Sequence, residues 1–187
     1  MIWRATTLNH TDRATFFEVW LRLLVTLVAV VCLSGCAIQL APDYDAQLQE
    51  GLIAANKDAL TLFAKVESGS TKAEFATLSG DYANVIASFE ALRQRADSRQ
   101  IPPLASRLTK MKFFAEFCDQ HNDPNSCLNA TSSSLTALVA TLRRLRDDHR
   151  GVNGGAGGLS EEHVAHLRSS YDQKIHQALT VETALKR

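Results

Sequence analysis

Residues 75–96, FATLSGDYANVIASFEALRQRA, decide the fold. Phe75, Leu78, Tyr82, Val85, Phe89, Leu92 and Ala96 follow one another at alternating spacings of three and four, which lines all seven along one narrow seam of a helix. A strand would need a spacing of two, and no window of the chain alternates that way. So narrow a seam is buried only by other helices, and the flanking sequence supplies them. Leu48, Leu52, Ala55, Ala59, Leu62 and Val66 repeat the pattern upstream. Downstream it returns in Leu104, Leu108, Met111, Ala115 and Cys118, then in Leu135, Leu138, Leu142 and Leu145, and last in Val164, Leu167, Tyr171, Ile175, Ala178 and Leu185.

Caps and breakers set the boundaries. Thr71 with Glu74 makes a capping box, Pro102-Pro103 separates two helices, Asp123-Pro124 offers an N-cap and a first-turn proline, and Ser160 precedes Glu161-Glu162. The expectation is an all-α, antiparallel bundle of about five helices over residues 44–187. Its helices span Tyr44 to Glu67, Thr71 to Asp97, Pro103 to Gln120, Pro124 to His149 and Ser160 to Lys186. The glycines from Gly151 to Gly158 lack the Gly-Lys-Ser/Thr of a phosphate loop and follow a helix instead of a strand, so they read as a flexible linker.

Composition agrees with one small domain. Of 187 residues 45% are apolar and 21% charged, with 20 basic residues against 20 acidic ones, which excludes a disordered tail and offers no net charge to draw nucleic acid.

The first 35 residues have another character. No charge occurs from Leu23 to Pro42, and Leu23 to Leu33 is an apolar core preceded by Arg4, Arg13 and Arg22. The run ends in Leu33-Ser34-Gly35-Cys36, which resembles the lipobox of bacterial lipoproteins. Small residues suit a peptide cut in an intramembrane protease, and the thiol is the acyl acceptor. The stretch before the apolar core is longer than usual and carries Asp12 and Glu18. The resemblance implies a cleaved signal peptide over residues 1–35, lipidation of Cys36, and a lipidated tether over residues 36–43. Cleavage would leave 152 residues with 17 basic and 18 acidic side chains. Ala37 is similar to the residue after the acylated cysteine in lipoproteins sorted to the outer membrane, which places the domain in the periplasm.

Four cysteines fit that compartment. Cys32 leaves with the signal and Cys36 is acylated, so Cys118 and Cys127 remain as a disulfide across a polar turn. Their spacing is not that of a Cys-x-x-Cys redox site, and two cysteines make no closed zinc site.

The remaining polar residues carry weak chemistry. His163 and His166 share a helix face, but His176 lies about 15 Å further along a straight helix, so no metal site is expected. The run Arg143-Arg144-Leu145-Arg146-Asp147-Asp148-His149-Arg150 reads as a solvated helix end. Glu182 falls on the last helix's seam and His149 continues the fourth, which suggests that the two pair structurally. No hydrolase, metalloprotease or cofactor motif occurs, so no catalytic residue and no cofactor is expected. Phe114 and Phe117 lie off the third seam, where they either complete the core or form an interface for a partner.

The whole is similar to small all-helical bacterial envelope lipoproteins. It implies a binding or scaffolding module attached to the membrane by lipid, with an envelope protein as partner. A small-ligand binder or enzyme, and an immunity lipoprotein against a periplasmic toxin, are the alternatives.

Overall fold

Asp45 is extended, and its carboxylate accepts hydrogen bonds from the backbone N–H groups of Gln47 and Leu48 at 3.0 and 3.1 Å, which starts helix α1, Ala46–Val66. Two of the amides that a helix start leaves without partners are thereby satisfied. The computed structural model describes residues 20, 22–26, 41–108, 111, 128–152 and 157–186. It divides the chain into two units, Met1–Ile38 and Gln39–Arg187. In the first, residues 20 and 22–26 are helical.

The second unit is all-α. The backbone N–H and hydroxyl of Thr71 both donate to the Glu74 carboxylate, at 2.7 and 3.0 Å, in the expected capping box. A short 3-10 turn, Lys72–Glu74, then runs into α2, Phe75–Asp97. Beyond it come α3, Pro103–Leu108; α4, Ala130–Arg150; and α5, Glu161–Leu185. Ser160 caps α5 as expected, accepting from the His163 N–H at 3.2 Å.

The start of α4 corrects the expected Pro124. Asn129 is not helical, with φ −140°, and its side-chain oxygen accepts from the Ser132 N–H, so it and not Asp123 is the N-cap. Asp123 and Pro124 lie outside the described residues.

Four long helices enclose the core, each antiparallel to its neighbours. Lys65–Asp81 and Arg95–Asp45 tie α1 to α2, and Arg143–Glu90 and Tyr82–His149 tie α2 to α4. His163–Asp148 and Thr131–Glu182 tie α4 to α5, while Gln49–Thr183 and Tyr171–Asn56 return α5 to α1. The seams meet inside. All six seam residues of α1 and all four of α4 are buried, as are Val164 to Ala178 of α5.

The third seam behaves differently. Leu104 is 41% exposed and Met111 56%, although Ala105 is buried. α2 and α4 pack directly against each other, so the four long helices close the core without α3. Ala115 and Cys118 lie outside the described residues.

The glycine segment is tied down at both ends of its described parts. Gly151 takes φ +78° and its N–H closes α4 on the carbonyls of Asp147 and Asp148. Further on, Ser70 and Leu159 exchange two backbone hydrogen bonds, of 2.9 and 2.7 Å. Gly158, at φ +95°, brings this pair together, because a Cβ there would stand 3.0 Å from the Ser70 carbonyl. The expected linker is therefore stitched to the α1–α2 connection at residues 158–159.

Candidate functional site

Two buried polar clusters close the bundle, one at each end. The first is built on Glu182, fully buried on the α5 seam. Its carboxylate receives both guanidinium amino groups of Arg99, at 2.9 and 3.1 Å, and the Thr131 hydroxyl at 2.5 Å. The Arg99 side chain is only 8% exposed. It reaches the Asn129 side-chain oxygen at 3.3 Å and the Asp43 carbonyl at 3.5 Å, and its Nε–H is buried with no hydrogen-bond partner. Asn129 in turn donates to the Ala96 carbonyl at 2.7 Å. Forked donors facing a planar carboxylate give a bidentate pair, the geometry in which arginine binds a carboxylate most strongly. The cluster joins the segment entering α1, the end of α2, the start of α4 and the end of α5.

The second cluster surrounds His149 at the opposite end, about 27 Å away along α4. Its Nε2 lies 2.8 Å from the Thr71 carbonyl and its Nδ1 3.0 Å from the Tyr82 hydroxyl. A carbonyl can only accept, so the proton sits on Nε2 and Tyr82 donates to Nδ1. Each ring nitrogen thereby has a partner. Phe75 and Tyr82 meet the ring edge-on, with centroids 5.5 and 5.8 Å away. Burial pushes the Tyr82 phenol pKa up, which keeps it a donor.

The expected pairing of Glu182 with His149 is corrected by this arrangement. Each is fully buried, but α4 and α5 run antiparallel, so His149 ends α4 beside the start of α5 while Glu182 ends α5 beside the start of α4. Arg99 and Thr131 were legible in principle. Arg99 is three residues past Ala96 on the α2 seam, and Thr131 four residues before Leu135 on the α4 seam. A seam that ends in Arg, Thr, Glu or His announces a polar plug, though not its partners.

The other sequence candidates fall as follows. His163 binds Asp148 at 2.8 Å, while His166 and His176 are exposed on α5. Among the described residues no cluster of His, Cys, Asp and Glu has a metal-holding arrangement. Of the charge run, Arg143 pairs with Glu90, Arg146 with Asp147 and Arg144 with Asp148, as a solvated helix end does. Cys36, Cys118, Cys127, Phe114 and Phe117 all lie outside the described residues.

A groove of about 380 Å³ runs between α1 and α5, open to solvent and lined by Phe63, Glu67, Val164, Arg168 and Asp172. Two of its charges meet each other there: the Arg168 guanidinium sits 5.2 Å over the Phe63 ring and its Nε donates to Asp172 at 2.9 Å. Among the described residues no helix is long and apolar enough to cross a membrane.

Fold and clusters together define an all-helical antiparallel bundle plugged at both ends by buried polar contacts. Compared with protein-family models, with curated proteins and with solved structures, the chain matches none.

Proposed function

We propose that this chain is a bacterial envelope lipoprotein, anchored in the outer membrane through acyl chains on Cys36, whose periplasmic bundle is a binding or scaffolding module for another envelope protein. The observation that carries this reading is Leu33-Ser34-Gly35-Cys36 at the end of an uncharged apolar run. Two chains on the thiol and one on the new amine give lasting attachment, where a single chain gives only marginal binding. A helical domain whose first helix begins at Ala46 suits such an anchor, since the tether between is short. In the same compartment Cys118 and Cys127 form a disulfide.

Mass spectrometry of the chain isolated from membranes tests the reading. The expected product begins at Cys36 and carries a diacylglycerol and an amide-linked acyl chain, and Cys36→Ser abolishes both cleavage and acylation. A membrane form that retains residues 1–35 without added acyl mass overturns the proposal. Alkylation without reductant is expected to leave Cys118 and Cys127 unmodified.

A further inference from the structure

The open groove between α1 and α5 holds a charge balance that the fold does not explain. It is lined by three carboxylates, Glu67, Glu161 and Asp172, against one cation, Arg168. Arg168 donates to both oxygens of Asp172, so these two neutralise each other. Glu67 and Glu161 are left. Both are exposed, and among the described residues neither side chain has an ion pair or hydrogen bond. Lys65, two residues before Glu67, is taken by Asp81, and Lys72 lies along Gly157, where a Cβ would stand 2.6 Å from its Cδ.

The two free carboxylates stand at one end of the groove. Glu67 is the C-cap of α1 and Glu161 opens α5, and a Cβ on Gly69 would stand 3.4 Å from the Glu161 backbone nitrogen. Glu161 is favoured by the N-terminal end of its helix dipole, whereas Glu67 is opposed by the C-terminal end of its own. A carboxylate set against its helix dipole, near a second one and without an internal cation, breaks a local rule of stability, as functional sites do. Beside them the groove is apolar, with the buried Phe63 and Val164 and the exposed Ala165. A ligand with an aliphatic stem and a compact positive head complements both features. Lysine is that side chain: its stem lies on apolar surface, and its ammonium has donors enough for carboxylates on two elements. The planar fork of arginine suits a single carboxylate better.

We infer that this groove docks a lysine side chain of a partner protein, with the stem on Val164 and Ala165 and the ammonium between Glu67 and Glu161. The docking rests on the binding-module part of the function proposed above and not on the anchor.

The probe is the peptide acetyl-Gly-Lys-Gly-amide, titrated into the full chain and followed through the backbone amide resonances of Val164 and Ala165. Both are expected to shift saturably. The norleucine counterpart keeps the stem and drops the charge, and is expected to bind about tenfold more weakly. Glu67→Gln with Glu161→Gln is expected to weaken the lysine peptide by about the same factor. Because Glu67 opposes its helix dipole, Glu67→Gln alone is expected to weaken binding while the melting temperature holds or rises, which a residue kept for stability would not do. No saturable shift, equal affinity for the lysine and norleucine peptides, or unchanged affinity in the double variant overturns the docking. Cadaverine binding as tightly as the peptide also overturns it, since the groove then takes a free diamine and not a protein side chain. The acyl mass on Cys36 is read separately on the same protein; its absence overturns the anchor and leaves the docking result standing.

Discussion

The one carboxylate at position 182 accepts from three donors, two on Arg99 and the Thr131 hydroxyl, and its removal is correspondingly costly. With Glu182 gone, the Arg99 guanidinium stays in a site where it is only 8% exposed, and the Thr131 hydroxyl loses its acceptor. Breaking a buried ion pair from one side costs about 3–5 kcal/mol, because the surviving charge is left without compensation. Glu182→Ala is expected to lower unfolding free energy by that amount in denaturant titrations. Arg99→Leu combined with Glu182→Leu is expected to recover most of it, since paired apolar replacements of buried ion pairs are often neutral. If single and double variants are equally unstable, packing around the site and not charge sets its energetics. The Glu182 site was half legible in the sequence. Its position on the seam was plain, but a seam tells only that a side chain points inward, and the neighbour it meets depends on helix order around the bundle.

At the scale of elements, the caps carry the same distinction between what is local and what is not. Asp45 both caps α1 and binds Arg95 of α2, so its two roles are separable by substitution. Asparagine caps as well as aspartate does, whereas alanine at an N-cap costs about 1 kcal/mol. Asp45→Asn is therefore expected to keep the cap and lose the Arg95 ion pair, and Asp45→Ala to lose about 1 kcal/mol more, read as a further drop in melting temperature. Helices α1 and α5 were legible to within two residues and α2 at its end, because caps are encoded by adjacent residues such as Asp45, Thr71 with Glu74, and Ser160; α2 begins four residues later than expected because the capping box opens on the 3-10 turn Lys72–Glu74. The start of α4 was not legible. Asp123-Pro124 and Asn129 are both good start signals, and nothing local ranks them, whereas Asn129 alone is also held from across the bundle by the Ala96 carbonyl and Arg99. Leu104 and Met111 of the third seam are exposed for a related reason. Its periodicity is real, but a stripe is buried only where neighbours leave room, and α2 pairs directly with α4.

Over the whole molecule, the apolar middle does not titrate, so the acid response comes from carboxylates clamped at the two ends. At the tether end the Arg95 side chain holds the Asp45 carboxyl below the usual carboxylate range, helped by the backbone amides of α1. At the other end the Thr71 backbone amide, with the Ser70 and Thr71 hydroxyls, does the same for Glu74. Both groups are more acidic folded than unfolded. The folded state therefore gains from them at any pH above the unfolded values of about 4, and loses that gain as pH falls through the lower folded values. Melting temperature is expected to be level between about pH 5 and 7 as far as these groups are concerned, and to fall below about pH 4. Each clamp ties a different connection: Asp45 locks α1 against the end of α2, and Glu74 orders the turn that also holds Leu159 and His149. Acid should thus loosen both ends while the seams still hold the centre. The double variant Asp45→Asn with Glu74→Gln removes both titrations, and its melting temperature is expected to fall less steeply with acid than that of the unaltered chain. An acid limb unchanged in the double variant would assign the loss to other groups and sink this account of the two clamps.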